Sequence, residues 1–233
     1  MDALNLSPRL DLVATFVPKN ARLVDIGSDH AYLPANLLLK KTIAFAVAGE
    51  VAPGPLKNVQ QEIDKAHLQD QLVARLGDGF TAIKPEDKID TVVIAGMGGR
   101  LITDILTAGH SDNQKYQRLI LQPNTDVLAV RAWLQANGYA LIDEQMILDD
   151  HHYYEVLVAE PGTTHFTDDE LHFGPFNMDR QAPVWREKWQ NELERIQRIL
   201  VKLQASKQSK SRAYEAYANQ SRQIQEALQH ASK

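Results

Sequence analysis

The sequence predicts an α/β protein with a doubly wound, mostly parallel sheet that closes with a β-hairpin, followed by a helical appendage. Two observations support this prediction. Short apolar runs alternate with helix-like segments through the first 160 residues, which is typical of repeated βα units. The period then changes, and apolar side chains recur every three or four residues between Trp185 and Leu228, as they do in coiled-coil helices.

Each predicted strand is a short apolar run that ends in small or polar residues, and a helical segment follows most of them. Strands are expected at residues 22–26, 43–48, 72–76, 91–95 and 118–122, and helices at 31–41, 55–67, 98–108 and 126–137. Two further strands, at 140–148 and 153–159, are close enough in sequence to form the closing hairpin. A helix at 10–17 is expected to precede the first strand and to shield a ligand cleft.

Three segments follow from this pattern. Residues 1–160 form the sheet domain, residues 161–182 are rich in Gly, Pro, Thr and Asp and are expected to be a connector, and residues 183–233 form the coiled-coil domain. The polar patch at 206–211 divides the apolar stripe, so we favour an antiparallel helical hairpin in a monomer. One long helix that dimerises through its coiled coil is the alternative.

Composition excludes several classes of protein. The chain has 233 residues and no cysteine, which rules out disulfides, thiolate metal sites and a cysteine nucleophile, and we expect no metal. We expect no membrane helix and no signal peptide, hence a soluble, cytoplasmic protein. Residues 183–233 contain ten Lys and Arg against five Glu, although the whole chain has a net charge of -5. This asymmetry favours a polyanionic partner, the alternative being that the charges are solvated faces of long helices.

The carboxyl ends of parallel strands meet at one edge of a sheet, where such folds bind their ligands. The first strand ends in Asp25-Ile26-Gly27 and passes directly into a helix-like segment. Only one glycine is present where a dinucleotide-binding turn has three, and no basic residue replaces the others. This pattern favours S-adenosylmethionine, which contains an adenosine but no phosphate, over NAD as the ligand.

The later strand ends supply further candidates. Glu50 lies 23 residues after Gly27, where a carboxylate would accept hydrogen bonds from ribose hydroxyls. Asp78, between two glycines, is placed to meet the adenine amino group. The predicted cofactor site consists of the residues at these strand ends: Gly27, Asp29, His30, Glu50, Val51, Asp78, Gly79, Ala95, Gly96, Met97 and Gly98.

In order and spacing, these motifs resemble the bacterial tRNA (adenine-22-N1)-methyltransferases, the TrmK family. The matching motifs are DIGSDHAYLP at 25–34, AGEV at 48–51, GDG at 77–79, AGMGG at 95–99 and LQPN at 121–124. The resemblance covers residues 7 to about 160 and is weaker in the tail. It implies a Rossmann-like, S-adenosylmethionine-dependent methyltransferase domain, a C-terminal coiled coil, and methylation of N1 of an adenine in tRNA.

Residue roles follow from that chemistry. N1 of neutral adenine has a lone pair in the ring plane and no proton, so its methylation needs alignment and charge stabilisation rather than a strong base. Asp29 is the leading catalytic candidate, with an N-cap of the next helix as the alternative. Gln122 and Asn124 are predicted to bind the target base, and Asn124 too has an N-cap alternative. Contacts to tRNA phosphates are predicted for Lys202, Lys207, Lys210 and Arg212.

Other interpretations of the same fold stay open at this point. One is a non-catalytic cofactor-binding or interaction module that uses the coiled coil as a partner interface. Another is an enzyme that acts on a small molecule or a dinucleotide. The polar strand ends disfavour a pure scaffold, and the single glycine turn disfavours a dinucleotide enzyme.

Overall fold

The computed structural model describes residues 1–109, 115–206 and 211–229. It divides the chain into two compact units, Met1–His165 and Phe166–Lys233. The boundary lies five residues beyond the predicted end of the sheet domain.

The first unit contains one seven-stranded sheet. Its strands are β1 (Arg22–Ile26), β2 (Phe45–Glu50), β3 (Leu72–Leu76), β4 (Thr91–Gly98), β5 (Arg118–Thr125), β6 (Tyr139–Asp149) and β7 (His152–Pro161). They lie in the order β3-β2-β1-β4-β5-β7-β6. Strands β1 to β5 are parallel, and β7 is antiparallel to both β5 and β6. This architecture confirms the predicted mostly parallel sheet with a closing hairpin.

One helix precedes the first strand, and others follow strands β1, β2, β4 and β5. They are α1 (Pro8–Thr15), α2 (Tyr32–Leu39), α3 (Pro53–Ala66), α4 (Gly99–Gly109) and α5 (Val127–Ala136), and short 3-10 turns follow β3. Helix α1 begins two residues earlier than predicted, because the Ser7 hydroxyl accepts the Leu10 N–H and Pro8 occupies the first turn.

The burial of the central strands explains why they are continuous apolar runs in the sequence. Leu23, Val24, Val92 and Val93 are fully buried, as expected of parallel strands covered by helices on both faces. The strand order reverses between β1 and β4, and this topological switch opens a crevice at the carboxyl edge.

The closing hairpin also reaches that edge. Asp150 and His151 connect β6 to β7 with φ of 46° and 63°, as in a tight hairpin turn. Leu121 of β5 pairs with Leu157 of β7 in antiparallel register. The beginning of β7 therefore lies beside the carboxyl end of β5.

The second unit is helical, and part of it corrects the sequence prediction. Residues 161–182, expected to be a connector, contain α6 (Asp168–Phe173) and α7 (Pro175–Arg180). Thr167 and Glu170 form a capping box at the start of α6, and Pro175 opens α7 after Gly174. The Thr, Asp, Gly and Pro that indicated a loop are thus helix caps and first-turn residues.

Two long helices follow, α8 (Pro183–Ala205) and α9 (Arg212–Gln229). Gln204 donates to the Tyr214 hydroxyl at 2.7 Å, and Arg186 donates to the Leu228 carbonyl at 3.1 Å. These bonds join the end of each helix to the start of the other, so the helices are antiparallel neighbours. Ile196 and Ile224 are buried, which agrees with the favoured hairpin.

Candidate functional site

Two adjoining cavities lie at the carboxyl edge of the sheet. The larger, of about 740 Å³, is formed by the ends of β1, β2, β3 and β4 together with α4. The smaller, of about 210 Å³, is lined by α1, the turn after β1 and the start of α2. Gly27, Asp29, Ala95 and Gly96 line both cavities. The two spaces therefore meet at the β1 and β4 strand ends, where the sheet order reverses.

The structure brings together nearly all of the predicted cofactor residues. Glu50, Val51, Asp78, Gly79 and Met97 line the larger cavity. His30 lines the smaller one, where its ring stacks on Tyr32 at a centroid distance of 5.0 Å. Gly98 lines neither cavity, because it lies farther along β4, where a Cβ would be 3.3 Å from the Thr125 hydroxyl. The prediction for Gly98 is not supported by its position.

Gly27 allows the chain to turn and Met97 to approach. Its φ is +72°, and a Cβ at this position would lie 2.0 Å from the Met97 methyl carbon. Its N–H donates to the Gly49 carbonyl at 2.9 Å, which ties the turn to β2. A side chain at Gly27 would strain the turn and displace Met97 from the larger cavity.

Asp29 lies where the two cavities meet, and its side chain is 71% exposed. The N-cap of α2 is Ala31, with no side-chain capping bond. The N-cap alternative for Asp29 is therefore wrong. The Asp29 backbone N–H donates to the Glu50 carboxylate, which holds the turn and leaves the Asp29 carboxylate open to the cleft.

Glu50 is the buried carboxylate of the larger cavity, with 6% of its surface exposed. Burial raises its pKa above the ordinary value, and the neighbouring Asp29 carboxylate adds to the rise. The hydrogen bond from Asp29 N–H opposes this rise. A ligand that donates hydrogen bonds to Glu50 would replace the water that this carboxylate has lost.

Asp25 lines the smaller cavity and was not among the predicted site residues. Burial raises the pKa of its carboxyl from 3.8 to about 6, with a smaller contribution from Glu50. The Ser28 hydroxyl donates to Asp25 at 2.5 Å and lowers the pKa only in part. In the sequence, Asp25 is an acidic residue inside an apolar strand. It was interpreted there only as part of the turn motif that follows the strand. A buried, perturbed acid in a cleft is a typical functional group.

The raised pKa of Asp25 predicts a pH-dependent cost to stability. An acid with a higher pKa in the folded than in the unfolded protein lowers stability as pH rises from about 4 to about 6. A rise from 3.8 to about 6 corresponds to about 3 kcal/mol at neutral pH. Asp25→Asn is therefore expected to be more stable than the wild type at pH 7.5, with a smaller difference at pH 4.5, in urea unfolding. An equal difference at both pH values, or a similar result for the exposed Asp70→Asn control, would contradict this.

Gln122 and Asn124 are held in one hydrogen-bond network at the end of β5. Gln122 is fully buried, so its side chain has no surface open to a substrate in this structure, and its role in substrate binding stays a prediction. Its Nε2 donates to Asn124 Oδ1 at 3.1 Å, and Asn124 Nδ2 donates to the Gly96 carbonyl at 2.8 Å. The N-cap of α5 is Asp126, which excludes the N-cap alternative for Asn124. Asn124 itself is exposed.

Arg9, on α1, is a further residue that the sequence analysis missed. Its guanidinium lines the smaller cavity and donates to Gln122 Oε1. The expectation that the extra helix shields the cleft agrees with this position. The sequence did not indicate that Arg9 is the shielding side chain, because Arg9 and its partner Gln122 are 113 residues apart in sequence.

The predicted phosphate-binding residues lie in the second unit. Lys202 and Arg212 are exposed, at the end of α8 and the start of α9. Lys207 and Lys210 are outside the described residues. Other cations of this unit form ion pairs along their own helices, namely Arg195 with Glu192, Arg198 with Glu194 and Arg222 with Glu226.

Neither a metal cluster nor a membrane helix is found in the described part of the chain. No group of three or more His, Cys, Asp or Glu there is placed to hold a metal ion. No helix within the described ranges is both long enough and apolar enough to cross a membrane.

Comparisons with known proteins agree with this architecture. The tRNA (adenine(22)-N(1))-methyltransferase of Bacillus subtilis strain 168 is 41% identical over 205 residues, or 85% of this chain and 86% of that protein. A Streptococcus pneumoniae structure in complex with S-adenosyl-L-methionine is 36% identical, with a TM-score of 0.87 over 96% of this chain and 100% of that one. The structure of M. capricolum TrmK in complex with S-adenosyl-homocysteine is 27% identical, with a TM-score of 0.84 over 96% of this chain and 97% of that one. The profile of the TrmK family, tRNA (adenine(22)-N(1))-methyltransferase, matches residues 23–228. The chain belongs to the TrmK family.

Proposed function

We propose that this protein transfers the methyl group of S-adenosylmethionine to N1 of adenine 22 in tRNA. The observation that carries the proposal is the cleft at the carboxyl edge, where an exposed carboxylate lies between a large and a small cavity. Family membership supports the substrate and the position in the RNA. Because the substrate is tRNA, we place the reaction in the cytoplasm.

The residues of the larger cavity fit an adenosine. Val51 and Leu76 are large apolar side chains that line it with 67% and 55% exposure, which suits contact with the faces of a flat base. Glu50 offers a buried carboxylate to the ribose hydroxyls, and Asp78 offers a carboxylate to the adenine amino group. The smaller cavity, with the buried Asp25, suits the ammonium of the methionine part.

The mechanism requires positioning and charge stabilisation from this chain. When bound, S-adenosylmethionine supplies a methyl group activated by its positively charged sulfur. Adenine N1 uses its in-plane lone pair, so no residue needs to remove a proton first. Asp29 is placed to stabilise the positive charge that the base acquires, because its carboxylate is exposed at the meeting point of the cavities. Asn124 is placed to hold the base edge.

The helical second unit is proposed to bind the phosphate backbone of tRNA. Lys202 and Arg212 are exposed cations at neighbouring helix ends that would release counterions on contact with phosphates. We propose a monomer, because α8 and α9 already pack their apolar stripes against each other.

Glu50→Ala is expected to weaken S-adenosylmethionine binding by about 1.5–3 kcal/mol, since a buried carboxylate makes charge-assisted hydrogen bonds. Calorimetry measures this directly. Glu50→Gln keeps an oxygen for the Asp29 N–H and should lose less. The control is Glu62→Ala on α3, another nearly buried carboxylate, which should bind the cofactor normally. Unchanged affinity in Glu50→Ala would remove Glu50 from the cofactor site.

The proposed activity is tested by incubating an unmodified tRNA pool with the protein and S-adenosylmethionine, then identifying the methylated nucleoside by mass spectrometry. We expect 1-methyladenosine at position 22. N6-methyladenosine or a methylguanosine as the product would overturn the proposed function.

A further inference from the structure

Arg9 is fixed on three sides at the edge of the cleft. Its backbone N–H donates to the Asp149 carboxylate at 3.2 Å, at the end of β6. Its guanidinium lies over the Tyr154 ring, 5.2 Å from the centroid, and donates to Gln122 Oε1. Helix α1, β5 and β7 thus meet at one half-buried cation. Such fixation is more than shielding of a cleft requires.

The hydrogen bonds that begin at Arg9 have a fixed direction. A guanidinium only donates, so Gln122 must turn its oxygen toward Arg9. The Gly96 N–H donates to the same oxygen at 3.0 Å. The Gln122 nitrogen therefore points to Asn124 and requires an oxygen there, and this leaves the Asn124 nitrogen for the Gly96 carbonyl. The guanidinium and the Gly96 N–H together hold the Gln122 oxygen, and this orientation is passed to the Asn124 amide, whose nitrogen bonds the Gly96 carbonyl.

The orientation of Asn124 matters for the identity of the base. Adenine has an amino donor beside N1, and N1 itself must stay free to react. Guanine instead has a carbonyl oxygen and a protonated N1. After accepting from Gln122, Asn124 Oδ1 retains a second lone pair, which matches an amino donor and not a carbonyl. If the Asn124 amide were reversed, its nitrogen would face the base and would match a carbonyl in place of an amino group.

We propose that Arg9 is a positioning residue that selects adenine as the acceptor base, acting through Gln122 on the Asn124 amide. The inference rests on the proposed function and deepens it, since it assigns the recognition of the adenine 6-amino group. Arg9 lies on the first helix and Gln122 is buried, so neither needs to touch the base.

The test compares tRNA carrying adenosine or purine riboside at the target position. Purine riboside retains N1 but has no 6-amino group, and its different intrinsic reactivity is shared by all variants. The ratio of kcat/KM for the two substrates is measured for wild type, Arg9→Met, Arg9→Lys and Gln122→Glu. Cofactor affinity is measured for each by calorimetry, which also shows that the variant is folded.

We expect the wild type to prefer adenosine by about 10-fold or more, as a lost hydrogen bond to a substrate donor predicts. Arg9→Met should lower this preference, because only the Gly96 N–H then holds the Gln122 oxygen, and Arg9→Lys should keep more of it because the ammonium is also a donor only. Gln122→Glu tests the same relay independently. Its carboxylate has no donor for Asn124 Oδ1, so the preference should disappear while Arg9 remains.

Two results would overturn the inference. One is an unchanged preference in Arg9→Met, whatever the result for Gln122→Glu. The other is a loss of cofactor affinity in Arg9→Met as large as its loss of methylation, which would make Arg9 a cofactor ligand. Failure of the proposed function is distinct, because the wild type would then form no 1-methyladenosine.

Discussion

Asp29→Asn is expected to lower kcat by about 100-fold, because the carboxylate that stabilises the developing positive charge on adenine is replaced by a neutral amide. Asparagine is the informative substitution. Asp29 has a φ of 53°, a conformation that asparagine and aspartate adopt more readily than alanine. The bond from the Asp29 backbone N–H to Glu50 is also unaffected by the change. The variant therefore isolates the charge.

The measurement is the single-turnover rate of 1-methyladenosine formation with tRNA and cofactor both saturating. Asp78→Asn is the matched control, since it removes another exposed cleft carboxylate, and it should weaken cofactor binding while the saturated rate changes little. A near-normal saturated rate in Asp29→Asn would show that the Asp29 charge has no part in the chemical step.

Removal of residues 166–233 is expected to leave cofactor binding largely intact and to weaken tRNA binding by about 100-fold, because the cations proposed to contact tRNA phosphates lie there. The deletion follows the boundary between the two compact units, so the buried residues of the first unit stay together. Calorimetry with S-adenosylmethionine verifies folding, and tRNA affinity is measured between 50 and 200 mM salt, a range of about fourfold over which phosphate contacts weaken strongly.

Point substitutions separate the charge from the helical scaffold. Neutralising Lys202, Lys207, Lys210 and Arg212 together should flatten the salt dependence, with the slope falling by about one for each lost phosphate contact. Lys40→Gln with Lys41→Gln, exposed on the first unit, is the control and should change the slope little. Equal methylation of tRNA by the truncated and full-length chains would make the second unit a stabilising appendage or a partner interface.

Much of the fold was predictable because it depends on local patterns. The alternation of apolar runs and helical segments predicted β1 to β5, and the short spacing after residue 137 predicted the hairpin of β6 and β7. The prediction of a connector at residues 161–182, where the structure has two short helices, also has a local cause. Thr167, Gly174 and Pro175 are equally typical of loops and of the caps of short helices, and the choice depends on packing. Trp185 provides that packing, since its buried indole donates to the Phe173 carbonyl at 3.0 Å.

The sequence by itself determined which residues stand at the strand ends: Gly27, Asp29, Glu50, Asp78 and Ala95 to Met97. It did so because parallel strands joined by helices must place their carboxyl ends at one edge. Only the tertiary structure determined the burial, the pKa values and the hydrogen-bond partners of the side chains at this edge. Burial raised the pKa of Asp25, the N-cap of α2 fell at Ala31 and not at Asp29, and the approach of Arg9 to Gln122 joined α1 to the hydrogen-bond network of Asn124. Such effects depend on solvent exclusion and on contacts between distant segments, which exist only once the chain has packed.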